Sequence, residues 1–210
     1  IDAYDTLVDL NRAGTPLLEM VTEPVIKSGE EAYTYLNEVR KLVRYLGICD
    51  GNMEEGSLRC DANISVMLKG SNTFGKKVEV KNMNSFRNVQ RAIDFEIKRQ
   101  IDLLEAGEEI AGETRSYDAV KDLTFSLRSK ESANDYRYFP EPDLQPIFIR
   151  QDYINKIKAD LPELPSELFR RFTEEYKLSE YDAYQITETK ELATYFQELI
   201  KYTQNYKSAA

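Results

Sequence analysis

The chain has 210 residues, 41% hydrophobic and 31% charged, with a formal net charge of −9. That length holds one large domain or two modest ones, and the acidic balance excludes autonomous, phosphate-driven nucleic-acid binding, which needs a basic face. With no histidine and only Cys49 and Cys60 as cysteines, Ser-His and Cys-His catalysis, a zinc set and a disulfide framework are excluded, and a reducing cytoplasm fits best.

No run approaches the roughly 20 apolar residues of a membrane span, and no charged-then-apolar signal opens the chain. It begins at Ile1 and stops at Ala210 just after a helical pattern, which reads as a fragment. Residues 1–24 carry short apolar runs broken by Gly14 and Pro16, so strand and loop are expected there rather than helix. Ser28 then caps a predicted helix to about Leu46, with Ala32, Leu36, Val39, Val43 and Leu46 on one face and Gly47 ending it.

After a turn at Asp50-Gly51, residues 53–67 alternate strictly. Ser57, Arg59, Asp61, Asn63 and Ser65 fall on one side; Leu58, Cys60, Ala62, Ile64 and Val66 fall on the other. Cys60 is thereby a small core hydrophobe. A second strand is predicted over residues 76–83, where Lys77, Glu79 and Lys81 alternate with Val78 and Val80 across a connection bracketed by Gly70 and Gly75. If the two strands pair with their apolar sides aligned, Asp61, Asn63, Glu79 and Lys81 converge, because a one-residue slip would bury charge.

Asn84 or Ser85 caps a long helix with the stripe Phe86, Val89, Ile93, Ile97, Ile101 and Leu104, ending at Gly107. Its charges, Arg91, Asp94, Lys98, Arg99, Asp102 and Glu105, read as a solvated face. Leu123, Phe125 and Leu127 suggest another strand, and two prolines make residues 135–143 a fixed loop. Composition shifts near Arg150, so a domain boundary is placed at about residue 151, with residues 152–210 all-helical and packed partly by Tyr181, Tyr184, Tyr195, Tyr202 and Tyr206.

Hard cations take oxygen ligands and keep waters, so carboxylates on neighbouring strands can hold magnesium without histidine. Asp61 and Glu79 suit that role, and Glu54-Glu55 precede the strand where one could turn inward; Glu55 completes the expected metal set. Against this stands a plain solvated hairpin in which Asp61 and Glu79 pair with Arg59, Lys77 or Lys81. Arg59, Lys81, Arg128, Lys130 and Arg137 are candidates for phosphate contact. Tyr136 and Tyr138, beside Arg137, could stack a base or simply fold the loop onto the core.

Four segments resemble, in order, the B-subunit family of the aspartyl/glutamyl-tRNA amidotransferases. They are Val8-Asp-Leu-Asn-Arg-Ala-Gly14, Leu46-Gly-Ile-Cys-Asp-Gly-Asn-Met-Glu-Glu-Gly-Ser-Leu-Arg-Cys-Asp-Ala-Asn-Ile-Ser65, Val78-Glu-Val-Lys-Asn-Met-Asn-Ser-Phe86 and Asp135-Tyr-Arg-Tyr-Phe-Pro-Glu-Pro-Asp-Leu144. The resemblance implies an α+β class: a glutamine-synthetase-like cradle domain over residues 1–151, then the start of a helical domain. It further implies ATP and magnesium as cofactors, A and C subunits as partners, and misacylated Glu-tRNA(Gln) or Asp-tRNA(Asn) as substrate. The side-chain carboxylate would be phosphorylated and then amidated by ammonia from the A subunit. Asp61, Glu79 and Glu55 would hold the metal, Arg59 and Lys81 would serve the phosphoryl transfer, and Asn63, Arg128, Lys130 and Arg137 would bind the nucleotide. Asn134 stands where many members have histidine. Because the family's N-terminal metal ligands, a histidine among them, and its tail domain are missing from these residues, the fragment alone is expected to be inactive. The alternative is a noncatalytic scaffold that docks the A subunit and tRNA.

Overall fold

A computed structural model describes residues 7–11, 13–129 and 145–210. Lys130, Asn134, Arg137 and the 135–143 loop therefore lie outside the described residues. From residue 7 to residue 27 the described chain forms neither helix nor strand. Helix α1, Gly29–Tyr45, opens where Ser28 accepts a hydrogen bond from the Glu31 amide, which satisfies one of the unpaired donors at a helix start. Close packing explains Gly29: a Cβ there would lie 2.5 Å from Asp94 Oδ1 and 2.6 Å from the Gln90 carbonyl. Asp94 also accepts from the Gly29 amide at 3.2 Å, so this exposed carboxylate ties two helices together as well as facing solvent.

Within the 53–67 run, burial follows the alternation over residues 57–64, and only β1, Ala62–Ile64, joins a ladder. Residues 53–57 turn instead, with the Ser57 and Leu58 amides bonded to the Asn52 carbonyl at 2.9 and 3.2 Å. Strand β2, Val78–Lys81, pairs antiparallel with β1 in the register expected, Ala62 with Val80, Asn63 with Glu79 and Ile64 with Val78. Gly75 sits where a Cβ would meet the Val66 carbonyl at 2.4 Å, so the connection closes only with glycine. At the other end Asn82 takes a left-handed φ of 64° and ends β2.

Helix α2, Phe86–Glu105, is capped by Ser85, which accepts from the Asn88 amide. Its buried face runs Phe86, Val89, Ala92, Ile93, Glu96 and Gln100, while Ile101 and Leu104 are exposed. The predicted stripe thus holds for its first half and then yields to two polar residues that find partners on the sheet. The helix carries the chain to β3, Glu113–Asp118, which pairs parallel with β2. A parallel pair needs such a crossover. Strand β3 is not expected from the sequence, because its face is buried by small polar residues and not by an apolar alternation. Strand β4, Leu123–Ser129, pairs antiparallel with β3 with a bulge between Thr114 and Arg115, completing the sheet order β1-β2-β3-β4.

Val78, Val80, Ala62 and Ile64 pack against Phe86, Val89 and Ile93 in the core between this sheet and the helices. Beyond Arg150, every regular element among the described residues is helical: α3 Gln151–Asp160, α4 Pro165–Glu174, α5 Glu180–Ile186, α6 Lys190–Leu199 and α7 Tyr206–Ala209. A second core gathers Leu168, Phe172, Leu178, Ala183, Ile186, Ala193 and Phe196, and admits Tyr45 from α1. Phe172 and Phe196 meet edge-on at 4.9 Å. Of the five tyrosines expected to pack these helices, Tyr206 joins this core and Tyr181, Tyr184, Tyr195 and Tyr202 are exposed. Among the described residues the fold is α+β, with a mixed four-stranded sheet and seven helices. None of those helices is long and apolar enough to cross a membrane.

Candidate functional site

The register sets one row of side-chain positions across three strands, Asn63 on β1, Glu79 on β2 and Thr114 on β3, and pairs the β4 backbone at residue 128 with Thr114. Paired residues share a face, so the row belongs to the outer face, away from α2. Here Lys81 Nζ lies 2.5 Å from Asp61 Oδ2 and 3.1 Å from Glu79 Oε1. Asp61 and Glu79 thus pair with Lys81, the ion-paired strand face that stood as the alternative to a shared metal ion. Its hydrogen bond to Asp61, and then that to Glu79, push Lys81 above its ordinary range, with partial burial acting the other way.

Thr114 adds a contact that sequence reasoning missed. Its Oγ1 donates to Glu79 Oε2 at 3.0 Å, so one oxygen of Glu79 faces the cation and the other faces β3. Ser116, also on this face, accepts from Asn82 Nδ2 at 2.9 Å, tying the residue after Lys81 to the neighbouring strand. The available signal was a period of two, Thr114, Ser116 and Asp118 alternating with the larger Glu113, Arg115 and Tyr117, but no apolar residue marks it on the small side.

Arg59 is exposed on the same side of the alternation and makes no ion pair among the described residues. Glu55 is exposed in the turn, where the Asn52 side chain accepts from the Glu54 and Glu55 amides. The described residues hold no group of three potential acidic, cysteine or histidine ligands, so Glu55 does not join Asp61 and Glu79. Burial pushes the Cys60 thiol up to about 11, in keeping with a core role.

On the opposite face the sheet meets α2 through a second charge cluster. Arg99 grips Glu96 through both Nε and Nη2, at 2.9 and 2.6 Å. Gln100 Nε2 and Thr124 Oγ1 add bonds to Glu96 at 2.9 and 3.1 Å. Arg115 binds Thr124 through both side-chain hydroxyl and carbonyl at 2.8 Å and reaches Glu113 at 2.5 Å. Arg99 is thus not part of a solvated face. Burial alone would raise the Glu113 carboxyl, but the Ser126 hydroxyl, Arg115 and Arg99 together hold it below its ordinary value. The bonds from Thr124 and Arg115 fix α2 against β3 and β4, while among the described residues Gln100 Oε1 is buried without a hydrogen-bond partner.

Two carboxylates converging on one positive charge make a fitting donor set for magnesium, which commonly takes one or two carboxylates, waters and substrate phosphates. Residues 2–155 match the family described as the GatB/GatE catalytic domain. The chain is 55% identical over 205 residues to the B subunit of the aspartyl/glutamyl-tRNA(Asn/Gln) amidotransferase of Pseudomonas putida F1, covering 98% of the chain and 43% of that protein. It is also 55% identical to the corresponding protein of Trichlorobacter lovleyi, over 97% of the chain and 43% of the relative. For that of Thermodesulfovibrio yellowstonii the identity is 55%, over 93% and 41%. The chain therefore spans less than half the length of these relatives.

Proposed function

Because this chain belongs to the GatB/GatE catalytic-domain family, we propose that its outer sheet face is part of the phosphorylating site of a tRNA-dependent amidotransferase. The substrate is the side-chain carboxylate of Glu-tRNA(Gln) or Asp-tRNA(Asn), the phosphate donor is ATP, and the partners are the A and C subunits in the cytoplasm. A carboxylate is a poor acyl donor. Transfer of the terminal phosphoryl group of ATP to one of its oxygens releases ADP and leaves an acyl phosphate; ammonia from the A subunit then attacks the carbonyl carbon, phosphate leaves, and a proton is lost to give the amide.

Such chemistry asks the protein mainly to position two anions and screen their repulsion. Asp61 and Glu79 would hold magnesium, which when bound offsets phosphate charge. Arg59 and Lys81 carry positive charge to the same face, and Lys81 would release the carboxylates to the metal and turn to phosphate oxygens. Asn63, in the row with Glu79, would meet the nucleotide, as would Arg128, Lys130 and Arg137. The cradle-like unit to about residue 151 and the helical unit after it would then divide catalysis from docking, and the 210 residues alone would not complete the reaction.

The observation that carries this reading is the convergence of Asp61 and Glu79 on one cation. Its test is Asp61→Ala and Glu79→Ala in the full-length complex, assayed for tRNA-dependent phosphoryl transfer. Each should abolish transfer and leave assembly intact. Intact transfer with weakened assembly would instead establish a scaffold.

A further inference from the structure

We propose that Thr114 is a positioning residue for this site, holding the Glu79 carboxylate in the orientation that receives a metal ion; the inference rests on the metal-binding role proposed for Glu79. Three observations carry it. Thr114 is 2% exposed, so its hydroxyl has little water to turn to. Its Oγ1 donates to Glu79 Oε2 at 3.0 Å while Glu79 Oε1 faces Lys81 at 3.1 Å, so the two oxygens of one carboxylate are assigned to different partners. Thr114 also occupies the β3 position directly beside Glu79 in the parallel register, and a β-branched side chain in a strand has few rotamers. The aim of the hydroxyl is therefore set by the backbone.

A hydrogen bond to Oε2 restricts the carboxylate about its last side-chain torsion, so less entropy is lost when a cation binds. Donation from Thr114 settles the rotation beforehand. It leaves Oε1 directed at the point that Asp61 Oδ2 also approaches, where Lys81 Nζ now lies. The strand responsible is the one without an apolar alternation, and its small polar residues serve the outer face while Glu113 and Arg115 serve the inner one.

The test uses the full-length protein in its complex, with manganese as a spectroscopic probe for the metal. Binding is followed by electron paramagnetic resonance beside the magnesium dependence of phosphoryl transfer. Thr114→Val keeps the shape and removes the donor; it should weaken manganese binding and raise the half-saturating magnesium about tenfold, as expected for a hydrogen bond to a charged group. Phosphoryl transfer at saturating magnesium should fall much less. Thr114→Ser should restore binding to within about twofold. Thr114→Ala, which crowds nothing, gives the same readout if the valine variant melts early. Unchanged manganese binding in the valine and alanine variants, while Glu79→Gln weakens it, overturns the role of Thr114 alone. Unchanged binding in Glu79→Gln and Asp61→Ala as well overturns the metal site on which the inference stands.

Discussion

On one face of the sheet Lys81 bridges Asp61 and Glu79 with side chains 34%, 47% and 18% exposed, whereas on the other Glu96 is fully buried between Arg99 and Arg115 at 20% and 12%. Both faces pair acid with base, yet their chemistry differs. Glu96 accepts from Arg99 and Gln100 on its own helix and from Thr124 on β4, so little capacity is left for a ligand, and the Thr124 bond and the Arg115 ion pair tie α2 to the sheet. The outer pair shares one ammonium in reach of water, where an ion pair is worth little and one cation can replace another. Saturation and burial make a joint; accessibility and a single exchangeable charge make a site.

The largest effect expected from breaking this contrast is on stability. Glu96→Ala would leave Arg99 and Arg115 with Glu113 as their one remaining carboxylate and would strip Gln100 and Thr124 of an acceptor, at a cost of about 3 kcal/mol, measurable by urea unfolding of the full-length protein. Asp61→Ala on the outer face should cost under about 1 kcal/mol because solvent screens the pair. Equal losses from the two would erase the distinction.

A smaller effect sharpens the idea of an exchangeable cation. Lys81→Met removes the ammonium and leaves two carboxylates to a metal, so added magnesium should raise the melting temperature more in this variant than in the parent. An identical magnesium response in both would show that Lys81 does not stand where the metal binds.

The smallest effects lie at opposite ends of the pH scale. Glu113 has a folded pKa below its ordinary 4.5, so its contribution is fully present above that value and is lost as pH falls through it to the lower folded one. Lys81 is raised above 10.5; its contribution is complete below 10.5 and is lost as pH rises through the folded value. Ser126→Ala removes one of the bonds that hold Glu113 down, so it should flatten the acid limb of stability and leave the alkaline limb unchanged, as read by thermal melts across pH. A shift of both limbs would mean that the two faces titrate together.

Legibility in the sequence followed the kind of signal each element carried. Helices α1 and α2 announced themselves through Ser28, Ser85 and a stripe of period 3.6, and the β1–β2 register through aligned apolar sides. Glu96 and Gln100 escaped because a polar residue on a helix is ordinarily read as solvated, and only partners from β1 and β4 make their burial tolerable. In β4 the pattern is inverted: Phe125 and Leu127 are exposed while Thr124 is buried against Glu96 and Arg115.

By itself, then, the chain order of Asp61, Asn63, Glu79 and Lys81 determined that four functional groups share a face, since any other register buries charge among valines. It also carried motifs enough to place the family. Only the tertiary structure decided that Lys81 stands between the two carboxylates, that Thr114 lies beside Glu79, and that the β4 backbone at residue 128 pairs with Thr114. Those neighbours arrive through the long α2 crossover and a bulged hairpin, and a parallel pairing across such a connection leaves no local periodicity in the sequence from which to read it.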